Sequence, residues 1–234
     1  LLAYRETTPP SVEVWDLHHK KLITTVRNDQ STTSGHVDEG GTDLALRPDG
    51  RMLVTPVGLV VDIAEQNTES RELGEGLITA SAFGPHSTGL AVGDDLGRIT
   101  LWDGAVHNRL GVLTGTSADS ETAETGGVTA LAFSHDGQTL ALADDGGTVQ
   151  LWDVASRRLL GSALPTPGDP VRSLAFSSDD TTLYAVGANT SVQAYSLNPD
   201  RLAQHVCERA GSGLSARDWR TYLPDVPYRR TCPR

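Results

Sequence analysis

VTALAFSHDGQTLALADDGGTVQLWDV, residues 128–154, divides into three apolar runs of strand length separated by turn chemistry. The runs VTALAF, TLALA and TVQLWDV are parted by SHDGQ and DDGG. Asp136-Gly137 and Gly146-Gly147 supply the positive φ that tight hairpins need, which predicts a three-stranded antiparallel meander. RRLLGSAL, directly after it, offers a fourth strand. Neither face of such a sheet is charged, and alone it would leave both faces wet. Similar sheets must therefore stack against it, and repetition becomes a physical requirement.

Working outward, weaker copies recur. Upstream, ITASAFGPHSTGLAVGDDLGRITLWDG (78–104) keeps Phe83, Trp102 and Asp103 in register with Phe133, Trp152 and Asp153. Downstream, VRSLAFSSDDTTLYAVGANTSVQAYSL (171–197) carries Phe176 and puts Tyr195-Ser196 in place of Trp-Asp. DLALRPDGRMLVTPVGLVVDI (43–63) turns at Asp49-Gly50 and has Val61-Asp62 at the Trp-Asp position. Residues 1–4 and 12–17 match the second and third strands, and 22–26 the fourth. Five copies result, over 1–27 (incomplete), 43–77, 78–113, 128–164 and 171–197. Trp102 to Trp152 spans 50 residues and Trp152 to Tyr195 spans 43. The difference is absorbed by TGTSADSETAETGG (114–127), which has no apolar residue larger than alanine and predicts a surface loop. Because the chain starts inside a strand, it reads as a piece of a longer parent.

The pairs Trp15-Asp16, Trp102-Asp103 and Trp152-Asp153, with AFS and DG elements upstream, resemble WD40 repeats over roughly residues 1–197. That resemblance implies an all-β fold, a WD40-type β-propeller whose first strands line a channel and whose fourth strands form the rim. In this family a Gly-His pair often precedes the first strand and bonds an Asp in the turn before the third. Only Gly35-His36 resembles that pair, and Asp95 and Asp145 sit seven residues before their tryptophans, one further than usual. Most blades are therefore expected to rely on packing, with Trp15, Trp102, Trp152, Phe83, Phe133 and Phe176 as structural residues.

Residues 198–234 break the pattern and predict a short α-helical tail. Asn198-Pro199 is a good helix start, Leu202, Ala203, Val206, Cys207 and Ala210 share one face, and Gly211 stops it. A second helix begins at Ser215, whose SARD run resembles a capping box, with Trp219, Tyr222 and Leu223 on its apolar side. The segments CERAG, SARDW and PYRRTCP resemble the end of large actinobacterial WD40 proteins that carry signalling domains upstream. Only Lys20 and Lys21 among the 19 basic residues are lysines, a skew associated with high-GC bacterial coding.

Composition is that of a soluble globular protein, with 38% hydrophobic and 21% charged residues and no apolar run of membrane-spanning length. The net charge of -11 is uneven, for the tail holds seven arginines against four acids while the rest is strongly acidic. The tail is thus expected to dock on its own propeller, burying Trp219 and Tyr222. An acidic body argues against nucleic-acid binding and for a protein partner with basic character. The cysteines Cys207 and Cys232 either form a disulfide or remain thiols in a reducing compartment. With His205 they make at most three scattered ligands, which argues against zinc. The expected location is cytoplasmic, the alternative being the extracytoplasmic side of a membrane-anchored parent.

Catalytic chemistry is sparse. His18-His19 read as a solvated turn rather than a metal site, and His86 and His135 fall at hairpin turns. No P-loop, nucleophile elbow or C-x-x-C motif is present, and Asn189-Thr190-Ser191 is only a formal glycosylation sequon. No cofactor is expected. Asp94-Asp95 and Asp144-Asp145 recur at equivalent turns, either stabilising the turn or forming an acidic patch for a partner. The leading reading is a non-catalytic interaction or sensor module of a bacterial signalling protein. A propeller hydrolase would need inward-facing ligands on several first strands, where Asp43 and Arg172 are the only charges. The third alternative is a structural spacer.

Overall fold

The computed structural model describes residues 2–7, 10–27, 44–114, 126–187, 189, 191–210, 213–230 and 232. Gly35-His36 and most of the 114–127 linker lie outside these residues. The central stretch folds as the sequence predicts. β12 (Val128–Phe133), β13 (Thr139–Asp144) and β14 (Val149–Asp153) form an antiparallel meander. Gly137 and Gly147 take φ of 72° and 77° at its turns.

The fourth strand departs from expectation. β15 covers only Arg158–Leu159, and the chain then bends at Gly161 (φ 75°) before Leu164 bridges back to Val149. A glycine in the left-handed region halts the ladder that RRLLGSAL would otherwise continue.

Four further sheets flank this one in chain order. β1 (Leu2–Thr7), β2 (Pro10–Asp16) and β3 (Lys21–Arg27) make a three-stranded sheet. β4 (Ala45–Leu46), β5 (Met52–Val54), β6 (Leu59–Asp62) and β7 (Asn67–Ser70) make the second. β8 (Ile78–Phe83), β9 (Gly89–Asp94), β10 (Arg98–Asp103) and β11 (Arg109–Thr114) make the third. The last, β16 (Val171–Phe176), β17 (Thr182–Gly187) and β18 (Gln193–Ser196), has three strands.

The core lies between sheets rather than within them. Val12, Val14 and Val26 of the first sheet pack on Leu53, Leu59 and Val61 of the second. Met52, Val54 and Val60 meet Ile78, Leu90 and Val92 of the third, with Phe83 and Trp102 partly buried there. Ile99, Leu101 and Leu113 meet Leu140, Leu142 and Trp152, joined by Phe133. Ala141, Ala143 and Val149 meet Val171, Leu174 and Leu183, joined by Phe176 and Tyr195. The recurring aromatic pair therefore fills the cleft toward the preceding sheet. Trp15 has no preceding sheet among the described residues, and its indole donates to Glu13 Oε2 at 2.8 Å.

Among its described residues the tail holds two helices, α1 (Pro199–Ala210) and α2 (Ala216–Tyr222). Asn198 Oδ1 accepts from Arg201 N at 3.1 Å, and Ser215 Oγ accepts from Asp218 N at 3.1 Å, the two caps that the sequence predicts. Cys207 and Cys232 are joined by a disulfide. Trp219 is buried within the tail itself, its Nε1 donating to Val226 O at 2.8 Å and its ring edge-on to Tyr228. Tyr222 is 72% exposed and is not buried at a propeller contact, because α2 turns only its Trp219 side toward the covering segment.

Candidate functional site

Antiparallel meanders put their turns at two ends. One end carries the turns between second and third strands, Thr55–Gly58, Asp94–Gly97 and Asp144–Gly147, together with the linkers that lead into each next sheet. The four acids singled out by sequence all fall here, and the fold separates their roles. Asp94 is 2% exposed, and its Oδ1 accepts from Leu96 N at 3.0 Å and Arg98 N at 2.9 Å. Its Oδ2 takes Arg98 Nε at 3.2 Å. Half-buried Asp144 accepts from Thr148 N at 2.8 Å in the same way. Their neighbours point outward. Asp95 is exposed, accepts from Leu77 N at 2.8 Å and donates its own N–H to Leu77 O at 3.0 Å. Asp145 is exposed and donates its N–H to Gly127 O at 3.0 Å. Each outward acid thus stands on a turn stitched to the linker beside it.

Around Asp95 lies a surface that the motifs did not announce. Val57, Leu77 and Leu96 are 44%, 47% and 49% exposed. Val57 and Leu77 line a cavity of about 270 Å³ together with Pro56, Glu72 and Gly74. A Cβ placed on Gly76, which also lines the cavity, would stand 3.3 Å from Leu96 Cδ1, so Leu96 lies at the cavity's edge. The nearby arginines are engaged, Arg98 with Glu75 at 2.5 Å, Arg109 with Glu75 at 3.2 Å and Arg71 with Glu69 at 2.6 Å. The signal that would have found this patch is a comparison of copies, because Leu77 and Leu96 stand where the central copy has Gly127 and Gly146.

The opposite end is stitched by carboxylates too. Asp16 accepts from the N–H of His18 and of His19 and from the His19 ring, which holds its carboxyl down at about 2. The histidine pair thus belongs to a turn. At Asp103 burial works against the charge, yet the His107 N–H and the Asn108 amide keep its pKa below the usual range. The Ser156 contacts do the same at Asp153. Asp180, at φ 56°, reaches from the last sheet to the fourth, accepting from His135 N at 2.8 Å and Asp136 N at 3.0 Å. Among the described residues no group of three or more His, Cys, Asp or Glu is placed to hold a metal ion. Among them, too, no helix is long and apolar enough to cross a membrane.

The five antiparallel sheets of three or four strands among the described residues, packed face to face in chain order, are the blades of a β-propeller. Residues 107–207 match the family model described as the Vps8 beta-propeller, a stretch that runs from β11 through the last two blades into α1. No curated protein matches the chain. This chain is therefore a β-propeller with a short helical tail, a fold consistent with a protein-interaction module.

Proposed function

We propose that the chain is the WD40-type interaction or sensor module of a larger bacterial signalling protein, and that it holds a protein partner with basic character. Contact is made at the end that bears Asp95 and Asp145. The observation that carries this reading is the pairing of an inward turn acid with an outward one in successive blades, the outward acid fixed by backbone hydrogen bonds to the adjoining linker. A carboxylate carried on a turn fixed in this way, with no ion pair among the described residues, steers and orients a basic partner. Affinity capture from the source cells tests it, comparing the wild-type chain with Asp95→Arg/Asp145→Arg. Loss of a captured protein on charge reversal is the expected result, and unchanged recovery overturns the reading.

The paired cysteines favour a second reading, of location. A disulfide persists in oxidising surroundings, so Cys207–Cys232 supports placement on the extracytoplasmic side of a membrane-anchored parent. Intact mass after alkylation without reductant, on protein taken from its native cells, tests this. Two alkylated thiols would return the domain to the cytoplasm.

A further inference from the structure

We infer that the cleft between the second and third blades is an anchor site for an apolar side chain flanked by Lys or Arg in a partner segment, with Val57 and Leu77 in its wall, Leu96 exposed beside Gly76 at its edge and Glu72 as its charged rim. The inference rests on the interaction-module reading and adds to it which surface the partner uses and what chemistry it brings.

The first support is that the fold does not ask for these leucines. The turn Asp94-Asp95-Leu96-Gly97 does the work of Asp144-Asp145-Gly146-Gly147, and in both the inward acid and the last glycine close the turn. The linker residue that bonds the outward acid's N–H is Leu77 in one blade and Gly127 in the other. Glycine satisfies both positions in the central blade, so two leucines half in water are not required to close the turn. Each leaves about half of its side chain in water, apolar surface that a partner could cover. Contiguous apolar surface rimmed by polar groups marks an interaction site.

The second support is shape and charge. A cavity of about 270 Å³ opens between Val57 and Leu77, room for one or two side chains of a partner. Arg71, Arg98 and Arg109 are each held in an ion pair, whereas Glu72 is exposed and has no hydrogen-bond or ion-pair partner among the described residues. The Asp95 carboxylate adds a second negative charge beside Leu77. The pocket therefore favours an apolar anchor with a cation next to it and disfavours an acidic one.

The test uses a fluorescein-labelled peptide, Arg-Arg-Leu-Gly-Leu-Arg-Arg, read by anisotropy against the full chain, with leucine-to-serine and arginine-to-glutamate peptides as controls. Leucine-dependent binding at or below ~1 mM is expected, the order of affinity a single buried anchor provides. Leu77→Gly/Leu96→Gly copies the central blade and should weaken binding about tenfold while the chain stays folded at the assay temperature. Glu72→Gln should weaken it about threefold and flatten its salt dependence. Equal binding of the serine peptide, no binding at ~1 mM, or a glycine variant that binds like wild type overturns the anchor. Should partner capture depend on Asp95 and Asp145 while ignoring the glycine variant, the interaction module stands and the anchor falls.

Discussion

At the residue scale, neighbours of identical chemistry can have opposite tasks. Asp94 and Asp95 are indistinguishable in the sequence, yet one is sealed under its own turn and the other faces solvent. Replacing Asp94 by Ala strands the N–H groups of Leu96 and Arg98 and the Nε–H of Arg98, whose Nη1 keeps its pair with Glu75, so a loss of about 2–3 kcal/mol is expected in urea denaturation. Asp95→Ala leaves one exposed linker N–H to water and should cost under about 1 kcal/mol. Val106 offers a sharper case. It is fully buried between the second and third blades at φ 57°, a conformation that β-branched residues rarely accept. Its backbone is fixed from both sides, Val106 N donating to Asp103 O at 2.9 Å and Val106 O accepting from Arg71 Nη1 at 2.7 Å. Alanine would lose packing and keep a Cβ in the left-handed region, whereas glycine would lose packing and release the strain. Val106→Gly is therefore expected to be more stable than Val106→Ala by about 0.5–1 kcal/mol, the reverse of the order in a strand or helix. Thermal melts of the two variants decide it.

At the element scale, the hairpins are closed by carboxylates. Asp16 and Asp179 are held down at about 2, the first chiefly by the His19 ring and the second chiefly by the Ser177 hydroxyl. A carboxylate whose folded pKa lies below its unfolded value, about 3.9, stabilises the fold above that unfolded value. The contribution fades as pH falls toward the folded pKa. The urea midpoint should hold steady from neutral pH to about 4 and decline between about 4 and 2. Asp16→Asn/Asp179→Asn should flatten that decline, because the amide oxygen still accepts hydrogen bonds but no longer titrates. These elements were legible because Trp-Asp and Asp-Gly recur in register, and a repeated turn chemistry reports a repeated hairpin. The short β15 was less legible, since RRLLGSAL reads as a strand until Gly161 adopts positive φ. The patch around Leu77 was not legible at all from periodicity. Those leucines sit in a turn and a linker that β8–β9 pairing brings together, and Val57 reaches them only because the second blade packs on the third. Only the mismatch with Gly127 and Gly146 pointed to them.

At the scale of the whole molecule, the apolar clusters sit between consecutive blades, and each draws its residues from two neighbours. Stability in such a stack is close to a sum of nearest-neighbour interfaces rather than the property of one centre. Leu140 tests this directly. It is fully buried on β13 and belongs to the cluster shared by the third and fourth blades. Leu140→Ala removes apolar contact and leaves a cavity between those two blades, a loss of about 2–5 kcal/mol. If the stack is linear in its energetics, amide hydrogen exchange should quicken in β8–β15 and stay near wild-type rates in β2 and β3, which meet the core through Leu53 and Val61 instead. Uniform acceleration across all five blades would mean that the propeller opens as a single unit. The same measurement bears on the anchor cleft, because Trp102 joins the second blade's linker to the third by donating Nε1 to Leu73 O at 3.0 Å. The third-blade side of that cleft should open more often while its folded geometry is unchanged, so the peptide that reads it should bind Leu140→Ala as tightly as wild type.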